Sequence, residues 1–204
     1  NQIEDAKVVY KKLVFMLADK YYIWKECAGC YAADGMKVAM LCKALSLENN
    51  DDFVASVRID LARVLIRIGR KGEALYELNR YCSHYKAKSW HVDSDALVLM
   101  SQCAGAEVPV DNSQLYADNI AMAENEVYSE VPYTDMVFVG KVESGSGKKR
   151  MRFVDGSGIG VSVNGKKFPA VTQAHVGQVW KLRLFEEMVE KDVPAAYSWQ
   201  PPII

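Results

Sequence analysis

A chain of 204 residues, half of them hydrophobic and a quarter charged, is long enough to bury one large core or two small ones. Its formal net charge of −1 argues by itself neither for nucleic acid nor for a membrane surface. No apolar run reaches the ~18–20 residues that cross a bilayer, and five cysteines, an odd number set in helical patterns, fit reduced thiols in a cytoplasm better than a disulfide framework.

The charge is unevenly spread. Residues 1–132 carry 15 Lys and Arg against 19 Asp and Glu, a net of −4. Residues 133–185 carry 9 against 3, a net of +6, and 186–204 carry 1 against 4, a net of −3. A small basic segment therefore stands between two acidic ones.

In chain order, residues 4–18 predict a helix with Val9, Leu13 and Met16 on one side and Glu4-Asp5 at its start, where acids suit the helix dipole. A helix over 21–34 follows, ended by Gly35, with Ala28 and Ala32 admitting a close neighbour. The next helix turns Val38, Leu41, Ala44 and Leu45 inward and stops at Asn49-Asn50. Helices over 53–68 and 71–84 come next. Asp51-Asp52 offers the first an N-cap, and Gly69 supplies the left-handed turn between them. A helix over 90–104 leads through a Pro109 loop to a last one over 115–131. That helix is expected to close the array with a weaker face of Leu115, Ile120, Ala123 and Val127, and Pro132 ends helical structure.

From 133 the period changes from helical to two. TDMVFVGKV, KKRMRFVD, IGVSV, KFPAV and QVWKLRLF read as five short strands, with Asn164-Gly165 as a hairpin turn. Five strands in so short a segment predict a small closed barrel or a strongly curved sheet. The tail 186–204, with three prolines, reads as extended.

The helices repeat. Leu61, Ala62, Leu65 and Gly69 stand 34 residues after Cys27, Ala28, Tyr31 and Gly35, and 34 before Asp95, Ala96, Leu99 and Cys103. Ala6, Tyr10 and Leu13 match Ala74, Leu78 and Tyr81 at twice that spacing. This is the mark of a solenoid of helix pairs, and its phase places residue 1 inside a repeat, as expected of a piece of a longer chain. On these residues, with Trp24, the region 1–131 resembles tetratricopeptide repeat (TPR) proteins. The resemblance implies about three helix pairs that bind or orient a protein or peptide. Arg58 departs from the large residue the pattern expects there. FVGKV, RMRFVDGSGIGVSV and VGQVWKLRLF make 133–185 look like an OB-fold or cold-shock-like barrel, an SH3-like barrel being the alternative. Such combinations are similar to accessory proteins of bacterial conflict systems. The expected architecture is therefore α+β and multidomain: repeats, barrel and tail.

Three motifs suggest chemistry, and each has a structural explanation. Cys27 and Cys30 have the spacing of a zinc or redox pair, but no second pair completes four ligands. Gly145-Ser146-Gly147-Lys148 lacks the following Ser or Thr and helix of a phosphate loop. Gly156 to Gly160 opens no helix. Neither a metal nor a cofactor is expected, and the chain reads as non-enzymatic.

The candidate sites are surfaces. Lys148, Lys149, Arg150, Arg152, Lys166, Lys167, Lys181 and Arg183 are expected on a basic face of the barrel, fit for single-stranded DNA or RNA. Phe138, Phe153, Phe168 and Trp180 are expected in the barrel core. Tyr22, Lys25, Tyr31, Arg58, Arg63 and Arg67 are expected in a groove of the repeats, where Arg forks a carboxylate. The rival expectation is a purely protein-binding adaptor whose barrel docks on the repeats or on an acidic partner.

Overall fold

The computed structural model of the chain describes residues 2–143, 147, 149–166 and 168–184. The chain divides into two compact units, Asn1–Val127 and Tyr128–Ile204. The first is helical and the second is built on an antiparallel sheet, so the fold is α+β. No described helix is long and apolar enough to cross a membrane.

Helices α1 (Gln2–Met16), α2 (Tyr21–Ala28), α3 (Asp34–Leu47), α4 (Asp51–Arg67), α5 (Lys71–Ala87), α6 (Ser94–Gln102) and α7 (Ser113–Tyr128) make the first unit. Small residues one repeat apart, Ala28, Ala62 and Ala96, are all buried, as are Tyr31, Leu65 and Leu99. Trp24, Leu61, Leu65 and Leu78 are among the largest side chains fully withdrawn from water. Each such leucine is worth about 1.5–3 kcal/mol. Between α4 and α5, Gly69 takes a φ of 83°, and the Arg70 N–H closes the turn on the Leu65 carbonyl at 2.9 Å.

Three local expectations are corrected. Helix α2 stops at Ala28, not at 34, and Gly35 lies inside α3. The shorter helix lets Tyr31 turn inward, where its ring is buried and its hydroxyl donates to Glu126 at 3.2 Å. The N-cap of α4 is Asn50, whose side chain accepts the Asp52 N–H at 3.0 Å. Asp51 and Asp52 occupy the first turn instead and form ion pairs.

Helix α7 does not extend the array beyond α6. Its polar side chains reach α5 through Glu77, α3 through Lys43, and α1 through Lys7 and Lys11. Its buried face is Leu115, Ala123 and Val127, with Ile120 half-buried.

The second unit is a four-stranded sheet in the order β3-β2-β1-β4, every pair antiparallel. Strand β1 (Tyr133–Glu143) pairs through its first half with β4 (Val179–Arg183) and through its second half with β2 (Lys149–Val154). Strand β3 (Gly160–Val163) lies beyond β2. Phe138, Met151, Phe153, Val161 and Val171 fill one face, with Trp180 packed edge-on to Phe153 at 6.2 Å.

The expectation of five strands and a closed barrel is corrected to four strands among the described residues. The segment read as the fourth strand forms a 3₁₀ turn, Pro169–Gln173. Proline at its start has no N–H to give a ladder and a φ already suited to a helical turn. The outer strands β3 and β4 do not pair with each other.

Candidate functional site

The second unit holds a recess of about 590 Å³ at the end of β1 and β2. Met151 and Thr172 line it together with Asn164 and Gly165 of the turn that follows β3, which leads into the 3₁₀ turn and not into the second strand of the expected hairpin. Lys141, Lys149, Arg150 and Lys166 surround it. Among the described residues these four cations have no ion-pair partner. Beside the recess, Phe168 donates its N–H to the Asn164 carbonyl at 3.1 Å, and its side chain is 49% exposed.

The structure separates the predicted basic residues. Lys149, Arg150 and Lys166 come together, while Lys148 and Lys167 lie outside the described residues. Lys181 is exposed and stands opposite Asp135 in the β1–β4 ladder. Arg183 stacks over the Tyr133 ring at 4.3 Å, and its buried Nε has no hydrogen-bond partner. Arg152, expected on the open basic face, is 6% exposed and bonds the Ser162 hydroxyl at 3.2 Å. Of the four aromatics expected in the core, Phe138 and Phe153 are buried, Trp180 is half-buried and Phe168 is outside it.

Lys141 was not foreseen. Simple alternation from Phe138 puts it on the opposite face. A bulge between Phe138 and Gly140 shifts the register by one residue, so Lys141 stands opposite Met151. Gly140 carries the bulge with a φ of 141°, a value that side-chain-bearing residues avoid.

In the helical unit, Lys25, Arg63 and Arg67 line a shallower recess of about 300 Å³ with Lys37 and Asp60, over Ala28, Leu41 and Val64. Its cations already have acids. Lys25 lies 3.7 Å from Asp60, Arg63 pairs with Asp60 at 2.8 Å and Asp95 at 3.1 Å, and Arg67 pairs with Asp34 at 2.7 Å. Tyr22 is exposed, edge-on to Tyr21.

Tyr31 and Arg58 are corrections to the expected groove, because both are buried. Arg58 donates to Glu77 at 2.5 Å and to Asp51 at 2.7 Å. Glu77 has no exposed surface, and it also accepts from Asn112 at 2.6 Å and from the Tyr116 hydroxyl. Burial raises the Tyr116 hydroxyl far above its ordinary range, reinforced by the Glu77 carboxylate. Burial also pulls the Asp51 carboxyl upward, but hydrogen bonds from Arg58 and Arg80 outweigh it and hold the group low.

The Cys27 thiol is pushed up to about 12 by burial, reinforced by Cys30. A thiol held protonated is a packing group rather than a nucleophile. Among the described residues, no three His, Cys, Asp or Glu side chains gather in a way that could hold a metal ion.

The family described as "Domain of unknown function (DUF7017)" matches residues 1–123. No curated protein and no solved structure matches the chain.

Proposed function

As a member of the DUF7017 family, the chain is, we propose, a non-enzymatic interaction module in which TPR-like helix pairs bind or orient a protein and an OB-like sheet contacts single-stranded nucleic acid. The observation that carries the nucleic-acid half is the convergence of Lys141, Lys149, Arg150 and Lys166 on one recess, with the exposed Phe168 bonded through its backbone N–H to Asn164 of its lining. Cations track a phosphate backbone, and an exposed ring gives an unpaired base a stacking platform. A strand order in which β1 serves both β2 and β4, with a helical turn between β3 and β4, supports the OB-like reading. The five free cysteines suit a cytoplasmic scaffold.

The test is fluorescence anisotropy of the whole chain with labelled single-stranded DNA and RNA at low and moderate salt. Binding weakens with salt, each neutralised phosphate adding about 0.7 to the log–log slope. Lys149→Glu with Lys166→Glu lowers both the affinity and the slope, the latter by about 1.4. Phe168→Ala weakens binding and leaves the slope alone. Absence of binding at low salt, or equal binding by the lysine variant, overturns this half. One observation favours the adaptor reading instead. Arg152 and Arg183 are engaged within the unit, which leaves a smaller basic face that an acidic protein surface could also fill.

A further inference from the structure

Helix α7 crosses three helices that the chain order separates. Asn112, just before it, and Tyr116 hold Glu77 of α5. Glu124 receives Lys43 of α3 at 2.6 Å. Glu126 receives Lys11 of α1 at 3.1 Å and Lys7 at 3.4 Å, and burial of its carboxyl is outweighed by these ammonium groups, which hold it below the ordinary range. Residues two apart on a helix do not share a face. Glu124 and Glu126 therefore reach different helices, flanking the apolar stripe of Leu115, Ala123 and Val127.

The grip is thin for a helix of this length. Three residues of α7 are buried, against eight of α4. Within the connector 103–112, Val110 is 98% exposed, while Asn112 at its end is buried and bonded to Glu73 and Glu77. What recognises α7 by charge is the set Lys7 and Lys11 of α1 and Lys43 of α3, a chemistry that an acidic amphipathic helix with a buried apolar stripe matches.

We propose that the face formed by α1, α3 and α5 is a docking site for an acidic amphipathic helix of a protein partner, and that α7 occupies this site until such a helix displaces it. The inference rests on the reading of the helical unit as protein-binding. It assigns the site to this face and not to the recess of Lys25, Arg63 and Arg67. A fitting partner carries an apolar stripe spaced like that of α7, carboxylates on both sides of it, and a hydroxyl or amide donor that takes the place of Tyr116 at the buried Glu77.

A labelled peptide of residues 112–128 serves as the probe. It is titrated into the whole chain and into a Glu124→Lys, Glu126→Lys variant whose own α7 is repelled by the lysines. The variant binds the peptide at least about tenfold more tightly than the native chain. Adding Lys7→Glu, Lys11→Glu and Lys43→Glu lets the altered α7 dock again and removes the binding. If a variant that keeps its helical circular dichroism binds no better than the native chain, the inference fails. If binding is lost in Arg63→Glu with Arg67→Glu while the α1 and α3 changes leave it intact, the recess is the helix site, and only the protein-binding reading survives. If no chain binds, both fall. Hydrogen exchange of the native chain gives an answer independent of the variants: α7 amides exchange at least tenfold faster than those of α4, and equal protection overturns the proposal.

Discussion

Arg58 and Glu77 make a charge pair with almost no contact with water. Desolvating two ions costs several kcal/mol each, and the pair is sustained only because each ion has further partners: Asp51 for the guanidinium, Asn112 and the Tyr116 hydroxyl for the carboxylate. Removing one ion leaves the other stranded. Arg58→Met and Glu77→Leu are each expected to cost about 3–5 kcal/mol in urea unfolding. The double change should cost far less than their sum, because it removes both desolvation penalties. Additive losses would show that the two residues are not coupled. The pair was readable in principle. Glu77 stands three residues after Ala74 and four before Tyr81, and Arg58 stands three before Leu61, so opposite charges sit on two buried stripes. By charge Arg58 suits a groove, but its helical phase places it on the buried stripe. Lys141 was hidden for a different reason, since a bulge is a property of two strands together and leaves little trace in one.

The helices were legible as elements because their apolar residues recur at a period the chain alone displays, and α4 and α5 lie close to where that period puts them. The expected fourth strand gives way to a 3₁₀ turn at Pro169, whose local effect overrides the alternation of its neighbours. The path of α7 was not readable, because it depends on lysines more than 80 residues away meeting Glu124 and Glu126. Glycines show the same contrast between local and distant causes. Gly72, in the first turn of α5, lies so close to the Glu107 carbonyl that an added methyl would collide with backbone. Gly35, in the first turn of α3, has open space around it. Alanine is the better helix former by roughly 1 kcal/mol at either place. Thermal melts should therefore show Gly35→Ala gaining up to about that amount. Gly72→Ala should lose on the order of 1–3 kcal/mol, since overpacking against a fixed carbonyl exceeds the propensity gain. Equal stabilisation by both would deny the contact between α5 and the connector that joins α6 to α7.

At the scale of the molecule, ion pairs set an acid limit. The carboxyls of Asp51, against the pull of burial, and of Glu126, likewise, are held low by Arg58 and Arg80 and by Lys11 and Lys7. Groups whose folded values lie below their unfolded ones stabilise the fold above the unfolded value and cease to do so as acid titrates them. Melting temperature should hold steady down to about pH 5 and then fall through the range below about pH 4, where free carboxyls titrate. The Tyr31 and Tyr116 hydroxyls are displaced the other way, chiefly by burial. Their contribution is intact below the ordinary tyrosine value and is lost as pH rises beyond about 10. Melting temperatures that do not move at either extreme would show that these groups titrate alike in the folded and unfolded chain.

The sheet ends in two outer strands, and any such strand is a template on which another copy of the chain can build. One flank is guarded by brevity, since β3 has only four residues. The other is guarded by charge, through Lys181 and Arg183 on β4. These guards answer differently to the medium: length is indifferent to ionic strength, whereas repulsion between like-charged edges fades once the screening length drops below about 10 Å. Rising salt therefore weakens the guard on β4 while leaving that on β3 unchanged, so self-association that grows with ionic strength is expected along β4.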